Sequence, residues 1–469
     1  MDLSEPVSGK PMPGNRKGGK PMWRWFTPAA AAAVSFCLAL SLSGCGGAAG
    51  GVDASDVAPT GAVKPREISW LLSRPADGAV IRTMRQIADE YATSHPGFRL
   101  RFITTPDRPS YIQKYETLAA ADRLPELFDT DATPFARKLA QHGRMMDAGK
   151  LLRSLGLYDR YRPAALDYQR FDDGSLYMIP FEYQAELFWY NKALFRKAGI
   201  RTPRSLDDFP AMCRALRRVG VTPIALDGQD QWPLERYAAY QPFRVAGPDY
   251  VRRLKRAEAK FGDPAGRRSA NWLSALGKAG CFQKGFSSVG YADAQNLFTS
   301  GRAAVYNIGT WELPSLATTA LDASVRDDVD FFRLPVTQDS VTAANEFVTP
   351  SGIGMAVNSL TYDPLVRDFL KFALTRYPTR YAASGELSPT TDATTALPKN
   401  ATPLYRRAVA AADDVGKDSA VPWDTQLDPT TNTKFQQELV LLVQGDTSPS
   451  SFAARMDEVI GRNAPRYAR

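Results

Sequence analysis

Arg66-Glu67-Ile68-Ser69-Trp70-Leu71-Leu72, Phe98-Arg99-Leu100-Arg101-Phe102-Ile103 and Leu124-Pro125-Glu126-Leu127-Phe128-Asp129 are three short apolar stretches with longer segments between them. The first has the length and content of a buried strand, and the second alternates as a strand does. Between them Val80, Met84, Ile87 and Tyr91 recur at three- and four-residue steps, which predicts a helix ending near His95-Pro96-Gly97. A further helix over about 110–121 precedes the third stretch. Strand, helix, strand, helix, strand is the layout of a parallel sheet covered by helices. Ligands of such sheets sit outside the carboxyl ends of the strands, a rule that nominates 73–78 and 129–133.

Towards the N-terminus, residues 46–65 are Gly, Ala, Asp, Ser and Pro without apolar periodicity, which predicts a flexible tether over 45–65. Before it, Arg16, Lys17, Lys20 and Arg24 precede the uncharged run from Phe26 to Leu42, which leads into Ser43-Gly44-Cys45. A basic segment, an apolar run and small residues at a cleavage site form a secretory signal, here over residues 1–44, with a thiol directly after it. The arrangement resembles a bacterial lipoprotein signal and implies lipidation at Cys45. The alternative is an uncleaved anchor; the apolar run is short against the about 20 residues a spanning helix needs. In both cases the rest of the chain faces outward, attached to the cell membrane.

Without the signal about 425 of the 469 residues remain, more than one core accommodates, so two domains are expected. The formal charge of +8 falls to about +5, with cations scattered rather than striped, which argues against nucleic acid as a partner. Of the four cysteines, Cys37 leaves with the signal and Cys45 is the lipid site. Cys213 and Cys281 remain, either as a disulfide or as two buried thiols. His95 and His142 have no metal-ligand spacing, and HExxH, CxxC and GxSxG motifs are missing, so neither a metal site nor a cofactor is expected.

Further along, Leu187-Phe188-Trp189-Tyr190 predicts a strand, with Asn191 capping a helix over 192–198 that Gly199 closes. Ser205 is a candidate N-cap. Strands are also expected at 303–307, 330–334 and 352–357, and the last hundred residues are mostly helical.

Gly174-Ser175-Leu176-Tyr177-Met178-Ile179-Pro180, then Phe188-Trp189-Tyr190-Asn191-Lys192-Ala193-Leu194-Phe195-Arg196-Lys197-Ala198-Gly199-Ile200 and Thr202-Pro203, resemble the extracellular solute-binding proteins of carbohydrate ABC importers. Leu124 to Phe128, Phe298-Thr299-Ser300-Gly301-Arg302-Ala303-Ala304 and Gly309-Thr310-Trp311 follow in the family's order, over about 66–460. The resemblance implies an α/β, two-lobed periplasmic-binding-protein-like fold (type II), each lobe a mostly parallel sheet flanked by helices, joined by a multi-strand hinge. Lobe I is expected at 66–177 plus 334–358 and lobe II at 182–330 plus 362–469. Crossings are expected near 179–181, 333–334 and 359–362. It further implies a monomer that takes a sugar or oligosaccharide between its lobes, breaks none of its bonds, and delivers it to an ABC permease. A secreted glycoside hydrolase and a surface ligand sensor are the rival readings.

A sugar presents apolar C–H faces, suited to indole rings, and a hydroxyl rim, suited to charged partners. Trp70, Trp189 and Trp272 lie in apolar strands or a helical stretch and are assigned to the core. Trp311 follows Gly309-Thr310 at a strand end, where the resemblance implies stacking on a sugar. Trp232 lies in the polar stretch 227–233, and Trp423 where a C-terminal aromatic closes the cleft of related proteins. For the rim, Glu182 follows Ile179-Pro180, with a lobe-to-lobe salt bridge as its alternative role. Asp129 and Asp131 end the third strand, and one of them is expected to cap the next helix. Arg74 and Asp77 follow the first strand, where either also suits a turn. Glu312, Asn307 and Glu346 are weaker candidates.

Overall fold

The computed structural model describes residues 57–467 apart from 75, 106, 349–350, 417–418 and 420–421, with side chains up to residue 464. The signal and Cys45 lie outside the described residues. No helix among the described residues is long and apolar enough to cross a membrane.

The three opening stretches form strands β1 (Glu67–Leu71), β2 (Arg99–Ile103) and β3 (Leu127–Thr130), with helix α1 (Ala79–Ser94) and helix α2 (Arg108–Ala120) between them. The first sheet has the order β2-β1-β3-β8, where β8 is Gly354–Val357. β1 runs parallel to β2 and β3, with Trp70 beside Phe102 and Leu127, and β8 runs antiparallel to β3. Side chains alternate across the sheet. Ile68, Trp70 and Leu72 pack on one face with Met84, Ile87 and Tyr91 of α1. Leu71 and Phe128 pack on the other face with Tyr111 and Tyr115 of α2. Both faces are therefore dry, as a helix-covered sheet requires.

The second sheet has the order β5-β6-β4-β7, with β4 at Glu186–Asn191, β5 at Thr222–Ala225, β6 at Ala303–Gly309 and β7 at Val329–Phe332. The expectation of a mostly parallel sheet holds for the first lobe and needs correction here. β4 is antiparallel to both β6 and β7, and only β5 and β6 are parallel. The reason is connectivity: β4 enters directly from the first lobe rather than through a crossover helix, so nothing imposes a parallel direction. β5 escaped the sequence reading because Pro223 interrupts a four-residue strand. Asn191 Oδ1 accepts from Leu194 N at 3.0 Å, Gly199 has φ +66°, and Ser205 forms a capping box with Asp208, as their residue types predict.

The lobe boundaries also shift. The helix Pro364–Ala383, expected in the second lobe, packs on α1 through Leu365, Phe369 and Leu370, so Tyr362 to Tyr381 belong to the first core. Conversely Leu334, Phe347 and Val348 pack into the second core. Arg244, fully buried, holds that segment by donating to the carbonyls of Pro335 at 3.1 Å and Ala343 at 2.7 Å. The chain therefore changes core three times, near 181–183, 348–355 and 381–387. The second and third lie downstream of the 333–334 and 359–362 expected for them. The three crossings touch: Tyr183 N donates to Leu387 O and Glu186 N to Val348 O. Val57, expected within the flexible tether, is tied to the first lobe: Tyr362 Oη and Arg367 Nε both donate to its carbonyl at 3.0 Å.

Candidate functional site

The loops at the carboxyl ends of β1, β2 and β3 face loops of the second lobe across a cavity of about 740 Å³. The crossing residues Gly352, Ile353, Tyr381 and Glu386 contribute to its lining. This is the position that open α/β sheets reserve for ligands.

The first-lobe wall is built around Arg74, which follows β1. Its guanidinium meets Asp129 at 3.2 Å, Glu182 and the carbonyl of Ile353. Asp129 stands behind the wall rather than on it. It is fully buried and accepts from Trp70 Nε1 at 2.9 Å and Ser73 N at 3.1 Å. Burial pushes its carboxyl up to about 6, against the pull of Arg74. Asp129 thus positions Arg74, which lines the cavity together with Glu182. Glu182 also accepts from Tyr381 Oη at 3.1 Å, so the salt bridge and the cavity-facing role coincide in one residue. Gly352, at φ +67°, makes this possible, since a Cβ there would collide with the Glu182 carboxylate.

Deeper in, Arg108 at the start of α2 pairs with Asp131 at 2.7 Å and reaches Asp424 of the second lobe at 3.8 Å. Arg236 pairs with Asp424 and, at 2.9 Å, with Glu186 at the start of β4. Neither Asp129 nor Asp131 caps the next helix; Thr133 does, accepting from Ala136 N.

The second-lobe wall is aromatic. Trp232 opens the helix Trp232–Ala246, and Trp311 follows β6 in a single helical turn. Their rings meet edge to face at 6.2 Å and 61°, and both line the cavity half-buried. Trp311 Nε1 donates to Tyr291 Oη at 2.8 Å, and that hydroxyl donates to Glu312. Gly309 lets the Trp311 ring lie against the strand end, a place where a Cβ would overlap it. One face of Trp232 carries the Arg236 guanidinium, 4.9 Å from the ring centroid.

Of the residues nominated from sequence, Arg74, Asp131, Glu182, Trp232, Trp311 and Glu312 line one cavity. Asp77 does not, being an exposed turn residue whose carbonyl accepts from Arg82. Trp423 is a core residue, 3% exposed and packed on Tyr250, Phe261 and Phe435. Its large apolar surface is satisfied in the second core, and its neighbours Asp424 and Thr425 reach the cavity instead. Asn307 is spent inside its sheet on Tyr240 and Leu187, and Glu346 on Ala343 N. Sequence reasoning missed Arg108, Arg236 and Glu386. The available signal for Arg236 was its place one helical turn after Trp232. Cys213 and Cys281 are joined, with Cα atoms 5.0 Å apart, in the second lobe away from this cavity. No cluster of metal-ligating side chains occurs among the described residues.

Two lobes, each a helix-flanked sheet, with a polar and aromatic cavity between them and three touching crossings define a class of binding protein that takes its ligand between lobes. Residues 77–376 match the family described as bacterial extracellular solute-binding protein, and the chain belongs to that family. Its similarity to an uncharacterized ABC transporter extracellular-binding protein of Pyrococcus horikoshii is 25% identity over 61% of this chain and 66% of that protein. A multiple sugar-binding protein of Streptococcus mutans is 26% identical over 30% of this chain and 35% of its own length. The chain thus spans about two thirds or less of these curated relatives. Among solved structures it resembles a chitin oligosaccharide binding protein, with TM-score 0.74 and 22% identity, covering 86% of this chain and 100% of that one. A raffinose complex of a solute-binding protein gives TM-score 0.61 and 17% identity, over 84% and 98%. These structural likenesses carry the two-lobed fold.

Proposed function

We propose that this chain is the substrate-binding subunit of a carbohydrate ABC importer. It is secreted as a monomer, anchored to the outer face of the cell membrane through a lipid on Cys45, and hands its ligand to a permease. The observation that carries the carbohydrate assignment is the Trp232–Trp311 pair, set in the same cavity as Arg74 and Glu182. Rings give a pyranose its apolar faces, and the charged groups give its hydroxyls strong partners. The sugar-binding relatives and structural neighbours support the same reading. Ligand that touches both lobes binds their closed arrangement more tightly and shifts the population towards it. In this reading no bond of the ligand is broken, and Glu182 and Asp131, each tied to an arginine, serve as acceptors.

A thermal-shift screen over mono- and oligosaccharides tests this directly. A ligand that binds only the folded chain raises its apparent stability, and chromatography of the recovered sugar reports whether its bonds survive. Stabilisation by a carbohydrate recovered intact is the expected result. Cleavage of that sugar would instead identify a glycoside hydrolase, and stabilisation only by non-carbohydrate solutes would remove the sugar assignment. Labelling with a fatty-acid precursor, comparing the native chain with Cys45→Ser, tests the anchor.

A further inference from the structure

Over its whole length the chain is basic, with 58 lysines and arginines against 50 acids. The cavity reverses that sign: eight carboxylates line it against three guanidinium groups. All three guanidinium groups are already engaged, Arg74 by Asp129 and Glu182, Arg108 by Asp131, and Arg236 by Glu186 and Asp424. What remains is negative. Asp230, Asp293, Glu312 and Glu386 make no ion pair among the described residues.

Three of these four adjoin the aromatic wall. Asp230 precedes Trp232 by two residues, Glu312 follows Trp311 directly, and Asp293 is exposed on the same short helix as Tyr291. Glu386 stands on the third crossing, is 6% exposed, and its carboxylate has no hydrogen-bond partner among the described residues. An unpartnered carboxyl in so dry a place is costly when charged. Burial, reinforced by Glu182 and Glu312, pushes it up to about 8. A neutral sugar would supply hydroxyl donors and leave the charge of Asp230, Asp293 and Glu312 unopposed. A phosphorylated or carboxylated guest would add to it. An ammonium group cancels it and is also attracted to the face of an indole.

Building on the carbohydrate reading above, we infer that the guest is a cationic amino sugar, whose protonated amine is held between the Trp232–Trp311 pair and the carboxylates Asp230, Asp293 and Glu312, which no arginine engages. Specificity then follows from charge. The amine brings a cation to carboxylates that no arginine engages, while an N-acetylated sugar brings none.

Calorimetric titration of the native protein at about pH 6, where an amine of this type is protonated, tests the inference. The probes are mono- and disaccharides of glucosamine and galactosamine, with their N-acetylated and their neutral hydroxyl counterparts. At least one amine is expected to bind about ten-fold or more tightly than both of its counterparts. That margin is expected to shrink several-fold in about 0.5 M salt, which screens charge. Asp293→Asn, isosteric and uncharged, is expected to cut the amine-to-neutral affinity ratio about ten-fold. A neutral or acetylated sugar binding as tightly as its amine overturns the charge inference and leaves the carbohydrate reading standing. An amine preference that ignores salt in the native protein also overturns it, whether or not the variant folds. Failure of every sugar in the panel, with binding of spermidine alone, overturns both readings.

Discussion

Arg74 shows how one side chain connects the core to the cavity. Its charge neutralises Asp129 behind it and Glu182 beside it, and both lie in surroundings that penalise an unpaired carboxylate. Arg74→Met is therefore expected to destabilise the ligand-free protein by about 3–5 kcal/mol in denaturant titrations; a change below about 1 kcal/mol would show that the cluster is not held by this residue. Trp311 acts on the ligand side. Truncation to Ala removes an aromatic face of roughly 2–3 kcal/mol, or about a 30- to 150-fold loss in Kd, and unchanged affinity would take Trp311 out of the site. Glu386 carries the pH dependence. Facing it are Glu182 and Glu312, which raise it, Arg82, which lowers it, and the hydroxyls of Tyr377, Tyr381 and Tyr405. The native state keeps its proton up to about 8, whereas the unfolded chain releases it near 4.5, so the unfolded state binds fewer protons between those values. Ligand-free stability therefore falls as pH rises through that window. Melting curves of Glu386→Gln should meet the native ones near the acid end and lie above them at the alkaline end, and parallel curves would refute the assignment.

At the scale of elements, the second crossing and the disulfide carry separable loads. Gln169 Nε2 donates to Gly352 O at 2.9 Å and to Ser351 Oγ at 3.0 Å, fixing the backbone under Glu182. Gly352→Ala is strained at positive φ and displaces the carboxylate, so ligand affinity should fall about ten-fold or more with little change in secondary structure; unchanged binding by calorimetry would exclude that role. Cys213, on the helix Phe209–Arg218, and Cys281 close a loop 68 residues apart. Replacing both by Ala should cost about 4 kcal/mol on the chain-entropy model, measured by denaturant unfolding under oxidising conditions. Periodicity was enough to read β1, α1 and β2, because these elements obey local rules. It failed at β5, where the strand is short and holds a proline, and at the helix Pro364–Ala383. Nothing local to that helix says which of two cores its apolar face will join. Trp423 failed for a related reason: the place where related proteins carry a cleft-closing aromatic does not decide whether the indole turns towards ligand or core. Cavity residues such as Arg108 and Glu386 became visible only when the fold brought distant loops together.

For the whole molecule, ion pairs span the two lobes at the rim and floor of the cavity. Lys255 Nζ lies 2.7 Å from Asp172, and Arg108 reaches Asp424. Such partly exposed pairs contribute modestly, so Lys255→Ala should weaken ligand binding only a few-fold by favouring the open arrangement. The central claim is mechanical: a carbohydrate is held intact between two lobes, touched by both. A crystal structure of the protein with a stabilising sugar from the screen tests it most directly. The account predicts an uncleaved sugar whose ring lies against Trp311, with hydrogen bonds to Arg74 or Glu182 on the opposite lobe. A sugar bound outside this cavity, or contacting one lobe alone, would contradict it.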